Sequence, residues 1–145
     1  MKTLGYYNGT YDELENMMVP FDDRVCFFGD GVYDAGPARN YHLFAIDEHI
    51  DRFFNSAKLM DIEIPCSKEE LKELLASLVL KMDTGNNFVY WACTRGTGIR
   101  NHVYKKGPGN LWVMIKPETL DTCQKPIKCV TQEDKRFFYC NCKTL

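Results

Sequence analysis

Phe28-Gly-Asp-Gly-Val-Tyr-Asp34 sets two glycines around an aspartate, immediately ahead of a tyrosine that opens an apolar run. Glycine tolerates positive φ and close backbone approach, so Gly29 and Gly31 let the chain turn sharply and aim the Tyr33 phenol from the start of a strand. Asp-Gly before alternating apolar residues is also an ordinary hairpin signal, and the segment alone does not choose between a turn and a site. The run reads as a strand over residues 32–39, followed by a second strand over 42–46, with the join near Asn40. Gly36-Pro37 interrupts the first of these. Proline removes a ladder donor, so that strand is expected at a sheet edge or with a bulge.

Toward the N-terminus, residues 4–7 and 10–14 flank Asn8-Gly9, a dipeptide suited to the positive φ angles of a two-residue hairpin turn. A loop through Pro20 and Asp22-Asp23 then leads into the glycine-bracketed segment. Toward the C-terminus, Asp47 is placed to cap a helix in which Ile50, Phe53, Phe54, Ala57 and Met60 form one apolar face. Ser67-Lys-Glu-Glu70 is a capping box, and Leu71, Leu74, Leu75, Leu78 and Met82 supply the buried stripe of a second helix that should end before Gly85. Four further short runs, at 88–94, 111–116, 127–132 and 138–143, are rich in β-branched and aromatic residues and read as strands. Strands, two helices and strands again predict an α+β domain: a mainly antiparallel sheet covered on one face by the helix pair. Residues 96–110 hold four glycines, a proline and four basic residues and read as a mobile surface loop, the usual place for binding groups.

A chain of 145 residues is long enough for one domain that buries roughly two-thirds of its unfolded surface without disulfides. Hydrophobic content of 45%, charged content of 26% and a net charge of -2 give no electrostatic reason to expect nucleic acid or an anionic membrane as partner. Small molecules or protein are the expected partners. The seven cysteines are odd in number, follow no signal-peptide pattern and match neither zinc-site nor secreted-framework spacing, so they read as reduced thiols of the cytoplasm. Cys140 and Cys142 read as neighbours on one face of a strand and not as metal ligands. No apolar run approaches the ~20 residues that span a bilayer.

Three basic groups could carry chemistry. Arg52 lies one turn into the first helix, flanked by apolar neighbours, and its forked donors suit a phosphate, although an arginine on an amphipathic helix is commonly just solvated. Arg100 and His102 stand two apart beyond a glycine-rich bend, so both could point toward a carboxylate; otherwise they are a basic loop in water. Lys143 sits among cysteines and apolar residues near the end of the last expected strand. Desolvation there would favour a neutral amine able to form a Schiff base with an aldehyde, whereas an exposed lysine would be inert.

The order of these segments resembles the class IV, or fold-type IV, pyridoxal-phosphate aminotransferases, and within them the D-amino acid aminotransferases. The resemblance rests on Phe28-Gly-Asp-Gly-Val-Tyr-Asp34, Glu48-His-Ile-Asp-Arg52, Thr94-Arg-Gly-Thr97 with Arg100-Asn-His102, and Cys140-Asn-Cys-Lys-Thr-Leu145. It implies the fold of that family's N-terminal domain and pyridoxal 5'-phosphate as cofactor. It further implies that Lys143 carries the cofactor and later moves a proton, that Arg52 binds the cofactor phosphate, and that Tyr33, Arg100 and His102 form a trap for the substrate carboxylate. The implied reaction moves an amino group between a D-amino acid and a 2-oxo acid, in a homodimer whose loop carrying Arg100 and His102 reaches the neighbouring subunit's site.

Members of that family run to roughly twice this length. The expectation is therefore an N-terminal α+β domain over residues 1–120, then a linker and the first strand of a C-terminal domain over 121–145, with this chain alone catalytically incomplete. Asp34 also departs from the family's more frequent glutamate, which bears on the pocket wall beside Tyr33 and so on substrate identity. Branched-chain aminotransferase and aminodeoxychorismate lyase share the fold and stand as alternatives. So do a non-catalytic interaction module and a thiol or metal protein built on Cys123, Cys129, Cys140 and Cys142.

Overall fold

The computed structural model describes residues 1–119, 126–134 and 140–145. Its centre is a six-stranded sheet in the order β2-β1-β6-β5-β3-β4, built from β1 (Leu4–Tyr7), β2 (Thr10–Asp12), β3 (Gly31–Arg39), β4 (His42–Leu43), β5 (Asn87–Thr94) and β6 (Asn110–Pro117). Every pairing between these strands is antiparallel. Helices α2 (Ile46–Leu59) and α3 (Lys68–Val79) cover one face, so the α+β architecture is as the patterning indicates.

Alternation along the strands decides which residues meet the helices. Val32 of β3, Val89 and Trp91 of β5, and Val113 and Ile115 of β6 face Phe53 and Ala57 of α2 and Leu71, Leu75 and Leu78 of α3, and all are at most 2% exposed. The opposite residues, Tyr33, Tyr90, Trp112 and Met114, are intermediate in burial and line the second face. There Tyr90, Trp112 and Met114 share with Met17, Met18 and Val19 an apolar hollow of about 270 Å³.

Local signals explain most element boundaries. Asn8 and Gly9 both take positive φ, 44° and 97°, and close the β1–β2 hairpin. Asn40 and Tyr41, at 48° and 65°, close β3 onto β4. The capping box of α3 forms in both directions: Ser67 Oγ accepts from the Glu70 N–H, and the Glu70 carboxylate accepts from the Ser67 N–H. Pro37 lies inside β3, which has only the two residues of β4 beyond it in the strand order. Its carbonyl accepts the Phe44 N–H on that outer side, so its missing donor also falls there and leaves the β5 ladder intact. At Gly36 an added Cβ would stand 3.1 Å from His49 Nε2, a tight contact to which the imidazole would have to yield.

Several expected features differ. Asp47 does not cap α2; the chain enters that helix through Ala45 in the left-handed region, and Asp47, in the first turn, pairs with Lys72. Leu14 belongs to a short 3-10 turn, not to β2, and Ile46 opens α2 instead of ending β4. The loop before the glycines contains an additional helix, α1 (Arg24–Phe28), capped by the Asp23 carboxylate on the Val25 N–H and closed by Gly29 at φ 60°. The strand expected over 127–132 does not form: Ile127 and Val130 are 82% and 88% exposed, and none of these residues joins a ladder among the described residues, so strand propensity goes unused. Of the strand expected over 138–143, residues 138 and 139 lie outside the described residues. Residues 140–142 turn and bend, and Thr144 alone forms a bridge, to Val32.

Candidate active site

The outer edge of β3 is where the chain brings its reactive groups together. The Tyr33 N–H donates to the Lys143 carbonyl at 3.1 Å, and the Leu145 N–H donates to the Gly31 carbonyl at 3.0 Å, so residues 143–145 run along that edge. From the helix layer, buried Ser56 accepts the Lys143 N–H on its Oγ at 3.0 Å and the Cys142 thiol on its carbonyl. These bonds hold the Lys143 backbone, and its amine lies 4.5 Å from the centre of the Tyr33 ring. Tyr33 stacks on Tyr90 at 5.3 Å, and Tyr90 in turn meets Trp112 at 5.7 Å, so the amine stands at one end of an aromatic row. Burial, with a smaller contribution from Tyr33, pushes the Tyr90 phenol up to about 12.

Arg52 lies four residues before Ser56, one helical turn away on the same side of α2. Its Nε and Nη2 donate to the two Asp34 oxygens at 2.7 and 2.6 Å, a bidentate pair. His49 Nδ1 stands 2.9 Å from Asp34 Oδ1. The Asp34 side chain is fully buried while that of Arg52 is 48% exposed. Burial alone would raise the Asp34 carboxyl, but the hydrogen bonds from Arg52 and His49 outweigh it and hold the group below the usual carboxylate range. Tyr33 and Asp34, adjacent in β3, thus anchor Lys143 and Arg52 from opposite faces of the sheet.

Arg100 and His102 form a separate group. Both are exposed, and both lie on the Phe28 ring, Arg100 at 5.2 Å and His102 at 5.6 Å from its centre. What the two share is the Phe28 ring, which their spacing alone could not identify. Within one chain they make no hydrogen bond or ring contact with Tyr33, Arg52 or Lys143 among the described residues. His49 and Ser56 were not among the residues expected at the site; Glu48-His-Ile-Asp-Arg52 places His49 three residues before Arg52 on one helix face, which was the available signal.

Among the described residues no group of three His, Cys, Asp or Glu side chains could hold a metal ion, and no helix is long and apolar enough to cross a membrane. Cys123 lies outside the described residues.

Fold and sequence together define a class of protein. The T.th. branched-chain amino acid aminotransferase, in its complex with N-(5'-phosphopyridoxyl)-L-glutamate, superposes with a TM-score of 0.72 over 79% of this chain and 40% of that one, at 22% identity. The Escherichia coli branched-chain enzyme gives 0.72 over 81% and 42%, at 18% identity. At such identities these likenesses speak for the fold. The family model for amino-transferase class IV matches residues 31–145, and the chain belongs to that family. Among curated relatives, the D-alanine aminotransferase of Staphylococcus epidermidis is 31% identical over 97% of this chain and 51% of its own length. That of Listeria monocytogenes is 37% identical over 92% and 48%. The chain therefore spans about half the length of the curated relatives it matches.

Proposed function

We propose that this chain is the N-terminal part of a pyridoxal-phosphate aminotransferase that moves an amino group between a D-amino acid and a 2-oxo acid. The observation that carries this reading is the fixing of Lys143 against Tyr33 at the β3 edge by Ser56, which itself lies one helical turn of α2 from a half-exposed arginine. The donor set fits the cofactor: a primary amine for an aldehyde, a guanidinium whose Nη1 has no partner among the described residues for a phosphate, and a row of aromatic planes. When bound, pyridoxal phosphate supplies the electron sink for bond breaking at the substrate α-carbon.

In this reading Lys143 Nζ holds the cofactor aldehyde and later carries the proton from the substrate α-carbon. Ser56 and the β3 edge fix its backbone, so the amine swings on its own stem and not on a moving loop. Asp34 occupies two donors of Arg52 and sets the plane of its guanidinium, leaving Nη1 for the phosphate. Tyr33, Arg100 and His102 take the substrate carboxylate. Because the last two lie on Phe28, apart from the Tyr33 cluster, the trap is completed by the loop of a second copy in a homodimer. We place residues 1–120 in one domain and residues 121–145 as the linker and first strand of a second, with the enzyme acting in the cytoplasm. The names of the curated relatives favour D-amino acids over branched-chain substrates; Asp34, turned to the helix-covered face, does not border Tyr33 as the sequence suggested.

The test is intact-mass analysis after borohydride reduction with added pyridoxal phosphate, with peptide mapping. A single phosphopyridoxyl adduct at Lys143, lost in Lys143→Ala, is the expected result. Its absence both from this chain and from the full-length protein would overturn the reading.

A further inference from the structure

Outside the Lys143 cluster, Asp30 joins two arginines. Its carboxylate, 10% exposed, accepts Arg24 Nε at 2.7 Å on Oδ2 and Arg95 Nε at 2.9 Å on both oxygens. Burial pushes the group up, and the hydrogen bonds from Arg95 and Arg24 more than reverse it, so it is held below the usual carboxylate range. Both arginines then reach onward. Arg95 donates to the Met60 and Asp61 carbonyls at the end of α2, and its guanidinium lies 3.8 Å from the centre of the Tyr104 ring. Tyr104 and Lys106 both bond the Asp61 carboxylate. Arg24 sends Nη1 the other way, to the Asn101 carbonyl at 2.7 Å, and rests 4.7 Å from the centre of the Phe28 ring.

Asn101 separates Arg100 from His102, and the ring that Arg24 covers is the one both of them touch. Resting on the carboxylate-trap reading of the preceding section, we propose that Arg24, held by Asp30, is a positioning residue for substrate carboxylate capture. It fixes the Asn101 peptide and shares the Phe28 ring, and so sets the directions of Arg100 and His102 without touching substrate. Arginine is required because one guanidinium must serve a buried carboxylate through Nε and a backbone carbonyl through Nη1; a lysine amine keeps the charge but lacks that fork.

Propionate, which has the substrate's carboxylate and no amino group, is the probe, with the ring resonances of His102 as the readout in the full-length protein. Arg24→Lys should weaken propionate roughly tenfold at unchanged melting temperature, the equivalent of about 1.4 kcal/mol. Phe28→Leu, which leaves the Asp30 pairs in place, should do the same, and neither variant should change the borohydride adduct at Lys143. In an Arg100→Met background the Arg24→Lys loss should shrink toward nothing, because the two act through one another. Unchanged propionate affinity in both single variants, full additivity with Arg100→Met, or no propionate response in the unsubstituted protein would overturn the proposal. A normal propionate series in a protein that forms no adduct at Lys143 would support it while sinking the cofactor reading alone.

Discussion

The Lys143 N–H ends on Ser56 Oγ, 3.0 Å away, so a buried serine in the last turn of α2 decides where the candidate cofactor lysine sits. Two further bonds, from the Tyr33 N–H to the Lys143 carbonyl and from the Leu145 N–H to the Gly31 carbonyl, extend that anchoring along β3. Ser56→Ala removes the acceptor and leaves a partly buried donor unmatched, at a cost of about 1–2 kcal/mol. The loss should be local. Hydrogen exchange should quicken roughly tenfold at the Lys143 and Leu145 amides, with the amides of α3 unchanged. Equal exchange at Lys143 in both proteins would show that Ser56 does not hold it.

Asp34 gives the site a defined acid sensitivity. Its carboxyl is held low in the folded chain, so the stabilisation from Arg52 and His49 is fully present above the unfolded value near 4. It is lost as pH falls through the lower folded value. Asp34→Asn should cost about 2 kcal/mol at neutral pH, near the low end for a broken buried charge pair, because solvent already screens the half-exposed Arg52. Urea unfolding across the acid range should show the two proteins converging in stability below roughly pH 4. A constant difference down to strongly acid pH would mean that the charge of Asp34 contributes nothing.

Thiol reactivity should sort by burial. The side chain of Cys93 is inaccessible, and burial, with smaller contributions from Cys66 and Asp23, pushes its thiol up to about 12. Cys26 and Cys129 are exposed. The thiolate is the reacting species, so at mildly alkaline pH Cys93 should be alkylated on the order of a thousandfold more slowly than either. Peptide mapping over a time course of iodoacetamide labelling measures this, and early labelling of Cys93 in folded protein would contradict its burial in the core between β5 and the helices.

These residues also mark how far the sequence could be read. The Asn8-Gly9 hairpin, the Ser67 and Glu70 capping box, and the apolar stripes of α2 and α3 are local patterns, and local physics realised them. Helix α1 was legible in principle, from Asp23 ahead of it and Gly29 after it, but five residues carry too little periodicity to separate a helical turn from a loop. Asp47 misled because its capping chemistry is real, yet Ala45 in the left-handed region had already opened the helix. The expectation that Lys143, Tyr33 and Arg52 serve one site came from a resemblance across the chain, not from spacing. Asp30, by contrast, joins Arg24 and Arg95, six and sixty-five residues away, and no sequence pattern foretells a tertiary contact of that range.

The glycines of residues 96–110 provide the last test, because the sequence presents them as equals and the structure does not. An added Cβ at Gly98 would meet nothing within 4 Å, and Gly98 has no positive φ to relieve. At Gly109 the same atom would stand 2.3 Å from the Thr94 carbonyl oxygen and 2.5 Å from Cys93 Sγ, with the Glu63 carbonyl oxygen at 3.1 Å. The Gly109 N–H donates to that Glu63 carbonyl at 2.8 Å, and Pro108 bridges Glu63, so the backbone cannot withdraw without breaking the link between β6 and the segment after α2. Gly109→Ala should therefore destabilise by about 1–3 kcal/mol, whereas Gly98→Ala should stay within about 0.5 kcal/mol of the unsubstituted chain. The loop between β5 and β6, which carries Tyr104 and Lys106, would shift with Gly109, so Gly109→Ala should also broaden the His102 resonances that Gly98→Ala leaves sharp. Equal melting temperatures for the two variants would mean that this loop is not pinned at Gly109.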